Sequence, residues 1–414
     1  MIKRYRRVSL SQYLVVFLAI LIAAGLGFLG TVVMRQQPFE DHFVIPWSAG
    51  RLWLLEGLNP YDDEALQLAE RTVAGSAYQA QVPADVPGLT EPLLNLIFTI
   101  PFSLLPYGFA RALWVTIMMV VIGLIAHFAV NLARWKVSLP ERTGIILLVL
   151  AWFPSIQSTV MGGLSPVTIL LLVVGLLAIV RGQDTLAGFM FALSFGSIQT
   201  SLFVLVFIFI WSISTKRRPI LVAFFSGLAF LWAVTLILLP SWPMDWLGAL
   251  LRTYADFSWV HTPLMDLAAL LPGISSYLSI ALHAGFGIYT ITLWITALGE
   301  SGRVFIWKAL ALMVAAYLFH VQSGTEQLFL ILPALFMVFR FMSERWSLFG
   351  RLFSWALLML ISVGSWFLAA PQFAFDSTHR FGLLVAGLPV LTFLGMIWIR
   401  WWAIKIPRLP FDEA

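Results

Sequence analysis

Long apolar runs alternate with short polar segments along almost the whole chain. The runs recur at lengths near the ~20 residues that a helix needs to cross a bilayer. This pattern predicts an all-α polytopic membrane protein in which residues 1–414 form a single domain of about twelve transmembrane helices. The predicted spans are 12–34, 111–133, 144–160, 166–181, 185–200, 202–214, 220–240, 276–298, 304–321, 327–342, 351–370 and 381–402.

One apolar segment, Pro92–Pro106, does not fit the series of spans. It has a central Pro101 and is shorter than the ~20 residues of a full span. Counting it as a span would also move the basic residues that follow the next helix to the outer side. We therefore predict that it is embedded or re-entrant on the outer side, packed against protein or a cavity. The first extracytoplasmic loop then covers 35–110 and contains interfacial helices.

Composition agrees with a membrane protein, because only 11% of the residues are charged and 60% are hydrophobic. A soluble domain carries about a quarter charged residues. The net charge of +5 could suggest a nucleic-acid partner, but the predicted topology places 19 of the 25 basic residues on one side. Basic residues beside spans are orientation signals. The sequence thus predicts membrane lipid rather than nucleic acid as a partner, a multi-pass protein of the plasma membrane, and cytoplasmic termini.

The polar stretch FEDHFVIPWSAGRLWLLEGLNPYDD follows the first span. Its pattern predicts a short interfacial helix over Trp47–Glu56, ended by a left-handed Gly57 and by Pro60. This helix would hold Asp41 at the membrane surface, where partial shielding can make a carboxylate a useful general base. A solvated acid beside a span is the alternative interpretation of Asp41.

Three stretches resemble a known family. Asp41-His42-Phe43 and the later Gly57-Leu58-Asn59-Pro60-Tyr61 turn look like polyprenol-phosphate-sugar-dependent glycosyltransferases of the GT-C fold. More closely, these residues resemble the branch related to the mycobacterial phosphatidylinositol-mannoside mannosyltransferase. PFSLLPYGFARALW, starting at Pro101, and HVQSGTEQLFLILPAL, starting at His320, extend the resemblance over most of the chain.

The resemblance implies an inverting transfer of a hexose such as mannose from a polyprenyl-phosphate donor. The acceptor would be a glycolipid, polysaccharide or protein on the extracytoplasmic side. Asp41 would be the general base, and Arg111 and His320 would bind the donor phosphate. Arg111 could instead be a snorkelling residue at a helix end, and His320 a structural one. The further substrate-binding candidates are Glu40, His42, Arg51, Tyr61 and Glu326.

No cofactor is expected and no metal site is predicted, because the six histidines form no HExxH pair. Whether activity depends on a metal stays open.

The chain departs from the family pattern at several positions. Thr90-Glu91-Pro92 stands where Tyr-Pro-Pro is frequent, Gly162-Gly163 where Gly-Gln is frequent, and Gln199-Thr200 where a Lys-Pro pair is frequent. Thr325 precedes Glu326 where the family usually has a tyrosine. The lost lysine removes a candidate phosphate contact. A lipid or sugar transporter, a polymerase or ligase using a lipid pyrophosphate, and a non-catalytic membrane scaffold therefore stay open as alternatives.

Overall fold

The computed structural model describes residues 25, 28, 35, 39–83, 88–253, 261–321, 324–369 and 383–404. Most of the predicted first span, 12–34, lies outside these residues. The described chain is almost entirely helical, in agreement with the predicted all-α class. Within it, the only strands are the two-residue β1 (Phe39–Glu40) and β2 (Ala80–Gln81), which pair in parallel.

The first polar loop folds into short helices that pack on one another. They are α1 (Val44–Glu56), α2 (Asp63–Ala74), a 3-10 turn over Leu93–Asn95, and α3 (Leu96–Ser103). Both α2 and α3 contact α1. With eight residues and Pro101 inside it, α3 is far shorter than the ~20 residues of a spanning helix, and its embedded position on the outer side stays a prediction.

Helix α1 ends as predicted but begins earlier. Gly57 is left-handed (φ 69°), and its N–H closes the helix on the carbonyl of Leu52. The predicted start at Trp47 is wrong, because the helix begins at Val44 and Pro46 lies within its first turn. A proline is tolerated there because the first N–H groups of a helix have no intrahelical acceptor. Trp47 is buried and donates to the carbonyl of Phe102 (3.0 Å), so it is anchored to protein.

The helices after α3 follow the predicted spans in order, except that Trp242–Thr253 and Pro263–Ala269 lie between the predicted spans 220–240 and 276–298. They are α4 (Tyr107–Leu132), α5 (Leu139–Leu150), α6 (Phe153–Met161), α7 (Ser165–Val180), α8 (Asp184–Ser194), α9 (Ile198–Ser214), α10 (Arg218–Leu238), α11 (Trp242–Thr253), α12 (Pro263–Ala269), α13 (Ser275–Ala297), α14 (Gly302–Leu318), α15 (Leu332–Arg345), α16 (Ser347–Ala369), α17 (Leu388–Trp398) and α18 (Arg400–Ile404). Further 3-10 turns cover Pro272–Ile274 and Thr325–Ile331, and a π-helical turn covers Leu383–Gly387.

Five helical segments of the described chain are long and apolar enough to cross a membrane: Tyr107–Leu132, Arg218–Leu238, Ser275–Ala297, Thr325–Arg345 and Leu348–Leu368. The predicted span 144–160 is a pair of helices, α5 and α6, bent by 58°. Several other predicted spans correspond to shorter apolar helices, among them α7, α8 and α9. The helices therefore support a polytopic membrane protein, whereas the count of twelve spans stays a prediction.

Helix α14 forms the centre of the bundle, because every residue from Phe305 to Leu318 is buried. Helix α9 contacts α14 and also α7, and α7 packs on α4. The first residues of α4, α7 and α9 and the last residues of α14 lie at the same end of the bundle. The short helices of the first polar loop lie at that end, beside the start of α4 and the end of α6.

Candidate active site

Asp41 lies between β1 and α1 and is completely buried. Its Oδ1 accepts hydrogen bonds from the backbone N–H groups of Phe43 (2.8 Å) and Val44 (3.2 Å). Its Oδ2 accepts from Arg111 Nε (3.0 Å) and from the hydroxyl of Tyr107. Four donors thus stabilise one carboxylate away from water, which keeps its negative charge at a fixed position.

Arg111 is as buried as Asp41 and forms an ion pair with it. It also donates to the carbonyl of Val160 and lies between the rings of Phe39 and Phe43. Of its donor atoms, Nη1 has no hydrogen-bond partner among the described residues. The structure therefore excludes a snorkelling role for Arg111, because its guanidinium is turned into the protein.

Tyr107 was not among the predicted site residues, although the sequence held a signal for it. It precedes Arg111 by four residues, and residues at this spacing lie on the same face of a helix. Both side chains reach Asp41 from the first turns of α4. An aromatic hydroxyl one turn before a candidate arginine was thus a detectable part of the site.

The loop between α6 and α7 packs directly against this ion pair. Gly162 is left-handed (φ 79°), and a Cβ on it would lie 2.8 Å from Arg111 Nη1. Trp114 Nε1 donates to its carbonyl (2.8 Å). A side chain larger than hydrogen at 162 would therefore be strained and would press on the guanidinium.

Glu326 approaches the same loop from the other side. Its Oε1 accepts from the backbone N–H of Gly163 (3.1 Å), and a Cβ on Gly163 would lie only 2.1 Å from Oε2. The next residue, Gln327, contacts the same part of the chain, because its Nε2 donates to Ser165 Oγ (3.1 Å). The glycine at 163, where the resembling family frequently has glutamine, thus makes room for this carboxylate.

Glu91 lies beside the candidate residues, but the sequence interpretation noted it only as a departure from the family pattern. Its Oε2 accepts from Asn95 Nδ2 (3.0 Å), and it interacts electrostatically with His42 and Glu326. Burial is the main cause that raises the pKa of Glu91 to about 7. A half-buried carboxylate that titrates near neutrality is thus adjacent to two predicted substrate-binding residues.

His42 and Glu40 lie beside the buried pair. The backbone N–H of His42 donates to the carbonyl of Met161 (2.9 Å), which connects β1 to the end of α6. Its Nε2 is 3.9 Å from Glu40 Oε2 and has no hydrogen-bond partner in the described part of the chain. The Glu40 side chain is 54% exposed. Asp41 and Glu40 therefore lie in very different surroundings despite being adjacent in sequence.

His320 follows the last turn of α14 and is buried. Neither ring nitrogen has a hydrogen-bond partner within the described ranges. Burial lowers the pKa of His320 to about 4, so its imidazole is neutral at physiological pH. It can offer a substrate one N–H donor but no positive charge.

Two other candidates support the local fold. Arg51 donates to the carbonyl of Ser103 at the end of α3 (3.1 Å) and lies over the ring of Trp47. The hydroxyl of Tyr61 donates to the backbone carbonyl of Glu91 (3.0 Å). Arg51 therefore fixes α1 to α3, and Tyr61 positions the segment that carries Glu91.

The described residues contain no group of three or more His, Cys, Asp or Glu side chains suited to a metal ion. A cavity of about 600 Å³ lies at the opposite end of the bundle, around Arg134, Arg181 and Arg217. Asp41 and Arg111, which have no exposed surface, do not line this cavity.

The apolar bundle and the buried acid–arginine cluster at one end define a multi-pass membrane protein with a polar site suited to proton transfer and anion binding. A family model for glycosyltransferase family 87, a family of GT-C-type membrane glycosyltransferases, matches residues 90–318, which is more than half of the chain. The chain belongs to glycosyltransferase family 87. A search among curated proteins finds no significant match. The predicted mannosyltransferase branch stays a prediction.

Proposed function

We propose that this membrane glycosyltransferase transfers a hexose such as mannose from a polyprenyl-phosphate donor to an extracytoplasmic acceptor, with inversion. The observation that carries the proposal is the buried pair of Asp41 and Arg111 beside the Gly162-Gly163 loop. Such a transfer requires a base for the acceptor hydroxyl and donors for the leaving phosphate, without a nucleophile on the protein. The cluster offers both kinds of group within one small region.

Asp41 is the proposed base. The acceptor oxygen attacks the anomeric carbon, its proton passes to Asp41 Oδ2, and the bond from the anomeric carbon to the phosphate oxygen breaks with its electron pair on the phosphate. In the structure the hydroxyl of Tyr107 donates to Oδ2. This hydroxyl marks the direction from which an acceptor hydroxyl would donate, so Tyr107 must turn aside when the acceptor binds.

Arg111 and His320 are the proposed phosphate donors. The free Nη1 of Arg111 and a ring N–H of His320 supply hydrogen bonds, whereas the charge of Arg111 is largely balanced by Asp41. Stabilisation of the leaving phosphate therefore depends on directed donors in a dry site, where such bonds are stronger than in water. Glu326, Glu40 and His42 are the proposed contacts to sugar hydroxyls.

Glu91 is the alternative base. It is half-buried rather than fully buried, and its pKa of about 7 is suited to proton transfer at neutral pH. Asp41 would then hold Arg111 in place and take no proton.

Substitution of each carboxylate by its amide distinguishes the two bases. Asp41→Asn should retain membrane insertion but reduce transfer from a polyprenyl-phosphate hexose by about 10²-fold or more. Glu40→Gln, in the neighbouring residue, should have a much smaller effect, because Glu40 takes no proton in the proposed step and a glutamine can still contact a sugar hydroxyl. A large loss in Glu91→Gln with near-normal transfer by Asp41→Asn would reassign the base to Glu91. Normal transfer by all three variants would exclude the cluster from the chemistry.

We also propose that the Asp41 end of the bundle is extracytoplasmic and that both chain termini are cytoplasmic. The support is the asymmetric distribution of basic residues in the sequence. Because the chain has no cysteine, single cysteines can be introduced without background labelling. A membrane-impermeant reagent should label Ser76→Cys in intact cells and Ser301→Cys only after permeabilisation. The reverse pattern would invert the topology.

A further inference from the structure

A cavity lies between helix ends far from Asp41. Its volume is about 600 Å³, within the range of ligand sites. It is formed where α4, α7, α9 and α14 come together. Its polar lining includes Arg134, Arg181, Arg217, Thr215 and Ser301.

The cavity and the Asp41 cluster are at opposite ends of the same helices. Helix α4 starts with Tyr107 beside Asp41 and ends at Leu132, two residues before Arg134. Its 26 residues correspond to about 39 Å. Helix α14 runs from Gly302 at the cavity towards His320. A ligand in this cavity therefore cannot touch the proposed catalytic groups, and the separation is about that of the two faces of a bilayer.

The charges around the cavity are unbalanced. Arg134 and Arg181 are both exposed, and neither forms a salt bridge or a side-chain hydrogen bond within the described ranges. Arg217 differs, because it pairs with Asp184 (3.2 Å) and lies over the ring of Trp211 (5.4 Å). No acidic side chain is among the residues that line the cavity. The guanidinium groups of Arg134 and Arg181 are thus available to bind an anion, whereas that of Arg217 is held in place by Asp184 and Trp211.

The backbone adds further donors. Helix α14 begins at Gly302, and Gly302, Phe305 and Ile306 near its start line the cavity together with Ser301. The N-cap residue Ser301 makes no capping hydrogen bond with its side chain. The first N–H groups of a helix have no intrahelical acceptor, and this end of the helix dipole favours negative charge.

We propose that this cavity is a second binding site of the protein, specific for a phosphate ester and separate from the transferase site. Arginine guanidinium groups form paired hydrogen bonds with phosphate oxygens, and basic pockets between transmembrane helices bind the headgroups of anionic lipids. The phosphate can come from an anionic lipid of the surrounding leaflet or from a soluble phosphate ester. The proposal does not depend on the identity of the transferred sugar.

Binding to the purified full-length protein in dodecyl maltoside tests the proposal. Native mass spectrometry measures retained phosphatidylglycerol, with phosphatidylcholine as the zwitterionic comparison, and a titration with glycerol 3-phosphate measures the soluble source. The double variant Arg134→Gln/Arg181→Gln should bind about tenfold more weakly or worse, because two charge-assisted contacts are lost. The matched control Lys136→Gln/Arg218→Gln removes the same charge from exposed positions outside the cavity.

A second variant protects the test against a folding defect. Ser301→Asp places an anion at the N-cap of α14, where aspartate favours the helix, but it repels a phosphate in the cavity. It should therefore weaken binding by a similar factor without lowering the unfolding temperature.

Loss of phosphatidylglycerol in the cavity variants, with retention in the control, supports the site and assigns a lipid. The same pattern with glycerol 3-phosphate alone supports the site and assigns a soluble ester. Equal losses in the cavity variants and the control would reduce the effect to general positive charge and overturn the proposal. Failure of the wild type to bind either phosphate ester would overturn it as well.

Discussion

Arg111 and Arg134 lie near opposite ends of α4 and have opposite surroundings. Arg111 has no exposed surface, and its charge faces Asp41 at 3.0 Å. Arg134 is exposed and has no acidic partner in the described part of the chain. Both residues are arginines, so the residue type alone does not distinguish them. Arg111 organises a buried cluster, whereas Arg134 contributes to an exposed positive surface.

This difference shows that a count of arginines does not locate an anion site. The buried pair of Arg111 and Asp41 has little net charge. Arg111 can therefore donate directed hydrogen bonds at short range, but it attracts distant anions weakly. Unpaired arginines at a helix end retain their field and can recruit an anion from lipid or water. Burial and pairing, which appear only after folding, decide between the two roles.

The strongest contrast should be in stability. Arg111→Met should destabilise the protein by about 3–5 kcal/mol, because it leaves the buried Asp41 carboxylate without its cation. Arg134→Met should change stability by about 0.5 kcal/mol or less, since an exposed and unpaired cation is removed. Thermal unfolding of both variants in the same detergent measures the contrast. Similar shifts in both would show that Arg111 is not the structural partner of Asp41.

A smaller effect is expected from packing around Glu326. Gly163→Ala places a methyl group 2.1 Å from Glu326 Oε2, so the carboxylate must move and the bond to the N–H of residue 163 weakens. Overpacking of this kind costs about 1–3 kcal/mol. Gly248→Ala is the control, because a Cβ there meets no atom within 4 Å. If the Gly163→Ala variant unfolds at the wild-type temperature, this end of the bundle is less tightly packed than the structure indicates.

The sequence predicted the helices well because their main determinant is local. A bilayer requires apolar helices with polar ends, and this requirement is visible as apolar runs bounded by charged residues. The predicted spans from 111–133 onwards therefore correspond to helices or helix pairs. The left-handed Gly57 was predictable for the same reason, since its backbone conformation depends on the residue itself. The bend between α5 and α6 was missed, because nothing in the hydropathy of 144–160 distinguishes a bent pair from a straight helix.

Which residues form the functional site stays a prediction, but the structure shows which of the predicted residues lie together. Asp41 and Arg111 were both named from the sequence, whereas their ion pair was not predicted, since 70 residues separate them and only the fold joins them. Glu91 was missed because it was judged by its departure from a family pattern. In the structure, the positions that depart from the family pattern are neighbours. Glu91 interacts with Glu326, which accepts a hydrogen bond from Gly163. Asn95 contacts Ser197, two residues before Gln199. Neighbouring changes of this kind can compensate one another, and a sequence pattern does not display that.

The two ends should also differ in their response to pH. The Asp41 end contains Glu91, with a pKa raised to about 7, and His320, with a pKa lowered to about 4. The cavity is lined by no Asp, Glu or His. We therefore expect the pH dependence of stability between pH 5 and 7 to change when residues at the Asp41 end are substituted.

The sign of each contribution follows from which state binds more protons. Glu91 holds its proton in the folded state up to about pH 7 but in the unfolded state only up to its ordinary value of 4.5, so its contribution to stability falls as pH rises between these values. The folded state excludes the proton from His320 down to about pH 4, whereas the unfolded state binds it below 6.5, so this contribution rises with pH between 4 and 6.5. The two slopes oppose each other in the wild type.

Single substitutions should separate these opposing slopes. Glu91→Gln should make stability rise more steeply from pH 5 to 6.5, and His320→Gln should make it fall over the same range. Unfolding temperatures measured at half-unit intervals provide the slopes, with Glu56→Gln as the control because water solvates this exposed glutamate in both states. A change of the same sign in both variants would contradict the opposite protonation shifts. An unchanged slope in Glu91→Gln would remove the evidence for a carboxyl group that titrates near neutrality, and with it the case for Glu91 as the alternative base.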